Sequence, residues 1–148
     1  MKKGILGISS GVFPKRKLNF GKIYSSFLDE LSNNTGSVTS FLGVARLESA
    51  DGKKKIRSLI IESYEKHADN VLNKIASDTK KKYGLTNILI VHGVGRFSPG
   101  EPVVMVLVAS SRRSEGFSAL REAVERYKKE PALFKKEVYS EGTSAWIT

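Results

Sequence analysis

Apolar side chains recur along this chain with two periods. Phe20, Ile23, Tyr24, Phe27, Leu28 and Leu31 fall at the i, i+3, i+4, i+7 spacing of a helix with one buried face. Asn33-Asn34-Thr35-Gly36 then ends it. Over 37–47 the pattern becomes that of a strand, with Val38, Leu42 and Val44 on one face, Phe41 on the other, and Arg46 at the far end. Ala50-Asp51-Gly52 supplies a turn into a second strand over 56–62. Tyr64, Ala68, Val71, Leu72, Ile75, Ala76 and Tyr83 return to helical period. Lys80, Lys81 and Lys82 lie in its last turn and Gly84 is the stop.

The runs 87–92 and 103–110 are apolar and β-branched, and Ser98-Pro99-Gly100 between them predicts a strand pair. Phe117, Leu120, Val124 and Tyr127 mark a third helix that begins near Ser114 and ends before Pro131. A last short strand over 134–139 closes the domain. Strands that come in pairs rather than in strict alternation with helices predict a single α+β domain, a mostly antiparallel sheet with helices packed on it. Residues 1–17 read as a basic N-terminal extension and 18–148 as the folded domain. Gly4-Ile5-Leu6-Gly7-Ile8-Ser9-Ser10-Gly11 lacks the G-K-[ST] ending of a phosphate-binding loop and reads as flexible chain.

Composition narrows the function. A chain of 148 residues, 40% hydrophobic and 27% charged, suits one globular core. The absence of cysteine excludes disulfides, zinc–cysteine sites, a cysteine nucleophile and persulfide chemistry on this sequence. A net charge of +10 admits nucleic acid, an anionic membrane or an acidic molecule as partner. No stretch approaches the roughly 20 apolar residues of a membrane span. The opening Met1-Lys2-Lys3 imitates a secretory signal, but the glycines and serines that follow and the absence of a small-residue cleavage site before Pro14-Lys15-Arg16-Lys17 favour a cytoplasmic protein.

Lysines and arginines of the C-terminal third are the candidates for chemistry. Lys128 lies four residues after Val124, about 40° around the third helix from a core position, so its stem is expected to be partly buried. An amine beside apolar surface and other cations loses proton affinity, the usual route to a reactive lysine; the other reading is a stem that covers the helix edge while the ammonium reaches water. Lys129 falls on the wet side. Lys135 and Lys136 alternate on a strand, so only one of them can share a site with Lys128. Arg112 and Arg113 stand between a strand end and a helix start, where guanidinium forks and backbone N–H groups suit phosphate or carboxylate, or else meet only water. His67 reads as a surface residue and His92 as the end of a strand, and no metal site follows from them. No G-x-S-x-G elbow is present.

These residues carry a resemblance. Gly36-Ser37-Val38-Thr39-Ser40-Phe41-Leu42-Gly43-Val44-Ala45-Arg46 resembles the G-x-V-x-x-F-x-G-x-x-R strand of the large, catalytic subunit of molybdopterin synthase. Val91-His92-Gly93-Val94-Gly95-Arg96 followed by Pro99-Gly100-Glu101 is similar to the H-R-x-G turn and G-E of that family. Ser110-Ser111-Arg112-Arg113 to Phe117 resembles its S-x-H-R-x-x-x-F helix entry. Lys128, Phe134-Lys135-Lys136-Glu137 and Glu141-Gly142 to Trp146 resemble its closing L-K, W-K-[KR]-E and E-G-x-x-W.

The resemblance implies transfer of sulfur to a cyclic pyranopterin monophosphate, making the dithiolene of molybdopterin. The sulfur would arrive on the thiocarboxylated C-terminus of a small ubiquitin-like carrier ending in Gly-Gly, with two copies of this chain forming a homodimer inside a heterotetramer and no cofactor. By position it implies Lys128 and Lys135 as catalytic residues, with Val44, Ala45, Arg46, Arg112, Arg113, Lys136 and Glu137 about the substrate, the lysines and arginines around a single cavity. Arg112 stands where the family has histidine, Gly93 replaces an arginine, and Phe134 replaces a tryptophan. Two other readings compete. One is a nucleic-acid-binding module, prompted by Lys15-Arg16-Lys17 and Lys53-Lys54-Lys55 but lacking interleaved aromatics; the other is an inactive scaffold of the same fold.

Overall fold

The computed structural model describes residues 9–130 and 133–147. The described chain runs β1 (Gly11–Pro14), a 3-10 turn (Lys15–Lys17), α1 (Phe20–Asp29), β2 (Ser37–Val44), β3 (Ile56–Ser63), α2 (Glu65–Tyr83), β4 (Asn87–Phe97), β5 (Pro102–Ser110), α3 (Arg113–Lys129), β6 (Leu133–Tyr139) and β7 (Ser144–Ile147). Seven strands form one sheet in the order β2-β5-β4-β3-β6-β7, with β1 added alongside β4. All pairings are antiparallel except β1 with β4. The fold is therefore the α+β arrangement that the pairing of strands predicts.

The helices cover the two faces unequally. Ala68, Leu72, Ile75 and Ala76 of α2 and Ala119, Ala123 and Tyr127 of α3 pack with Ile88, Ile90, Phe97, Val104, Val106 and Val108 of the sheet into the larger core. Ile23 and Phe27 of α1 pack against Val91, Met105, Leu107 and Ala109 on the opposite face. The third-residue spacing visible in each helix is thus the spacing of its buried positions. Gly84 caps α2 in the left-handed conformation, φ 62°, and Leu85 N–H returns to Lys80 O at 3.0 Å.

Four expectations change. The described part of the stretch expected as a flexible basic extension is built into the sheet: Val12 is buried, its N–H donates to Asp69 Oδ1 at 2.7 Å, and Ser10 Oγ accepts from Ile90 N–H at 3.0 Å. A strand of four residues is too short to display alternation, and its pairing lies about eighty positions away in sequence. Residues 1–8 lie outside the described residues. The strand over 134–139 does not close the domain, because β7 pairs beyond it through the Glu141–Gly142 turn, and every residue of that edge strand is exposed. β4 does not end at His92 but continues to Phe97. Gly93 suits a close approach there, since a Cβ would lie 2.8 Å from Phe97 Cζ and 3.0 Å from Leu18 Cδ1 and would make those side chains shift. Finally, β2 ends at Val44, and Leu42 and Val44 are exposed while Val38, on their face, packs against the α1 core.

Candidate active site

Lys135 leaves β6 between Ile61 of β3 and Ile147 of β7, on the face that looks toward the larger core. Pairing on both sides holds its backbone, and its side chain is half-buried. Lys128 comes from the last turn of α3 and is exposed, not partly buried as its helical phase suggested. The two meet at one cavity of about 510 Å³, bordered also by Tyr127, Phe134 and Trp146 and by Lys129, which is exposed, as expected. Burial, and next the charge of Lys128, push the Lys135 amine below its usual proton affinity. Neither amine has a hydrogen bond or ion pair with a described residue.

Alternation separates Lys136 from this pair. It lies on the other face, its ammonium 5.5 Å from the centre of the Trp146 ring, to which it is directly opposed across β6 and β7. Glu137 returns to the face of Lys135, is buried, and accepts from Tyr139 Oη at 2.8 Å. Its position beside Leu59 makes it a satisfied interior carboxylate rather than a group open to the cavity.

The arginines stand elsewhere in the single chain. Arg112 is the N-cap of α3 and Arg113 its first residue, both exposed and with no side-chain cap. Fifteen residues of helix at 1.5 Å each put the Arg113 backbone about 22 Å from that of Lys128. The expected single cavity is therefore not assembled within one copy. Arg46 follows Ala45, which is buried in the core that holds Tyr127 and clamped to the β4–β5 turn by Ala45 N–H to Glu101 O and Gly100 N–H to Ala45 O. Arg46 itself is exposed, and Val44 is 46% exposed at the edge of the sheet.

His92 was not singled out and belongs here. It is fully buried in mid-strand, its ring edge-on to that of Tyr127 at 5.7 Å, and Nδ1 lies 2.9 Å from Gly93 O. Burial first, then the charges of Lys135 and Lys128, push its pKa down to about 3, so the ring is neutral. Burial also pushes Tyr127 up to about 12. The alternation Ile88, Ile90, His92, Val94 was the available signal, for it sets the histidine on the core face. Among the described residues no three His, Asp or Glu side chains converge as a metal site.

A helix-backed antiparallel sheet thus holds a lysine amine, kept below its usual proton affinity, in a cavity bordered by aromatic and cationic side chains. The family model of the MoaE protein matches residues 14–130. The molybdopterin synthase catalytic subunit of Rattus norvegicus is 31% identical over 134 residues, covering 90% of this chain, which spans 64% of that relative's length. That of Pyrococcus abyssi is 32% identical, covering 78% of this chain and 76% of its own. A solved chain of molybdopterin synthase from Staphylococcus aureus superposes with a TM-score of 0.81 at 24% identity, covering 94% of this chain and 96% of its own. The chain belongs to the MoaE protein family.

Proposed function

We propose that this chain is a catalytic subunit of molybdopterin synthase, moving sulfur from the thiocarboxylated C-terminus of a small carrier protein onto cyclic pyranopterin monophosphate. The observation that carries the reading is the meeting of Lys135 and Lys128 at one cavity, with the Lys135 amine held below its usual proton affinity. A lysine in that state can take or return a proton, or act as a transient amine partner, at the carbon that receives sulfur. Lys128 and Lys129 supply positive charge where the anionic substrate and the thiocarboxylate enter. With no cysteine in the sequence, the sulfur is not carried on a thiol of this chain, which suits delivery by another protein.

A solved complex of subunits 1 and 2 of molybdopterin-converting factor from Helicobacter pylori, superposing with a TM-score of 0.72 at 16% identity and covering 95% of this chain and 88% of its own, supports a two-subunit assembly. We place the chain in a homodimer that binds one carrier at each end, in the cytoplasm, with no helix among the described residues long and apolar enough to cross a membrane. Arg112 and Arg113 then serve the lysine cavity of the neighbouring copy, binding phosphate bidentately, while Arg46 faces the substrate from its own chain. The test is dithiolene formation from cyclic pyranopterin monophosphate and thiocarboxylated carrier. The wild-type chain turns over, and Lys135→Ala and Lys128→Ala each lose at least about 10²-fold, the scale of a positioned proton-transfer or charge-stabilising group. Complex formation without turnover by the wild-type chain would instead establish an inactive scaffold.

A further inference from the structure

Behind Tyr127, which borders the lysine cavity, lies an unexplained buried group. Among the described residues, His92 Nε2 is the buried side-chain polar atom without a hydrogen-bond partner. Its chemical state follows from its neighbour. Gly93 O can only accept, so the Nδ1 at 2.9 Å carries the proton, and Nε2 is a bare lone pair. An acceptor enclosed in a core without a donor is costly, and such a group in a folded protein points to a role. The ring lies against Tyr127, which borders the cavity, and the charges that reach it are those of Lys135 and Lys128.

We infer that His92 is a positioning residue for Lys135: its Nε2 accepts a hydrogen bond from the Lys135 ammonium, directly after a side-chain rotation or through one enclosed water, and so fixes where the amine stands before it gives up its proton. The assignment rests on the reading of Lys135 as the working amine. Among the acceptors near the cavity, His92 Nε2 is the enclosed one with no partner of its own among the described residues. From α3 come Lys128 and Lys129, which are donors, and Tyr127, whose protonated hydroxyl can donate as well as accept. From β6 comes Glu137, one oxygen of which is engaged by Tyr139 Oη. From β3 and β7 the directly opposed residues are Ile61 and Ile147. Around His92 itself, Val12 of β1 and Val104 of β5 are the strand neighbours.

An acceptor for the ammonium favours the charged amine, so removing it lowers the pH at which Lys135 loses its proton. The experiment measures the rate at which trinitrobenzenesulfonate modifies Lys135 across pH in the full chain alone, read from the Lys135 peptide by mass spectrometry. In His92→Phe the midpoint falls by about one unit, giving about tenfold more free amine below the midpoint, and Lys129 does not move. His92→Gln, which offers an oxygen near the Nε2 position, returns the midpoint to that of the wild type. Should His92→Phe fail to fold, His92→Asn, which keeps a donor for Gly93 O but has nothing at Nε2, shows the lowered midpoint instead. A wild-type midpoint in the variant lacking the acceptor overturns the assignment, as does a Gln variant that shifts with the others. Carrier and pterin are absent from the measurement, so failure of the sulfur-transfer reading leaves this result intact.

Discussion

Helix α3 carries cations at both ends, and the two ends treat them in opposite ways. At the C-terminal end Arg126, Lys128 and Lys129 face the negative pole of the helix, where positive charge is stabilising. Arg126 is consumed by Asp78, which ties α3 to α2, and by Glu130 at the C-cap of α3 itself, leaving Lys128 free for the cavity. At the N-terminal end Arg112 and Arg113 face the positive pole, without a cap and without an acidic partner among the described residues. Each costs the helix about 0.3–1 kcal/mol there. A cation pair at the unfavourable end of a helix does nothing for the fold, which fits the anion-binding role proposed for it, whereas the lysines suit the helix as well as their proposed role.

The ends also differ in what titrates. The lysine end is backed by His92, neutral when folded with a pKa of about 3 against the ordinary 6.5. The unfolded chain takes up a proton at this residue as pH falls through about 6.5 and the folded chain does not until about 3. The contribution is therefore complete above about 6.5 and lost toward acid. Between neutrality and pH 5, before carboxylates enter, urea unfolding should show a loss of about 2 kcal/mol, and His92→Phe should flatten that slope. The arginine end keeps its charge throughout. A stability that is level from pH 7 to 5 in the wild-type chain would remove the buried neutral histidine from the account.

At the other end the expected effect is smaller and of opposite sign. Arg112→Ser places a preferred N-cap at the start of α3 and removes an opposed charge, so unfolding free energy should rise by about 0.5–1 kcal/mol while substrate affinity falls. A stabilised variant with unchanged affinity would make Arg112 a bystander.

Much of this was legible in the sequence. The three helices announced themselves because each keeps an apolar stripe for two turns or more, and the alternation of Lys135 and Lys136 separated one amine from the other before any coordinates. β1 and β7 were not legible, since four residues give no measurable period and both depend on partners elsewhere in the chain. His92 was read as the end of a strand, when β4 in fact continues to Phe97 and Leu18 and Phe97 close over Gly93. The separation of Arg113 from Lys128 was present in the helix length itself; motif order gathered them into one site, and the rise per residue sets them apart.

That separation is where the account is most exposed, because it requires two copies of the chain to build one site. Lys135→Ala and Arg113→Ala, each inactive alone, are to be co-expressed and assayed for dithiolene formation as a mixed population. If lysines and arginines act across the dimer, random pairing leaves one intact site in half of the molecules and restores about a quarter of wild-type turnover. Turnover no greater than that of the two variants measured separately, with mixed dimers present, would contradict it.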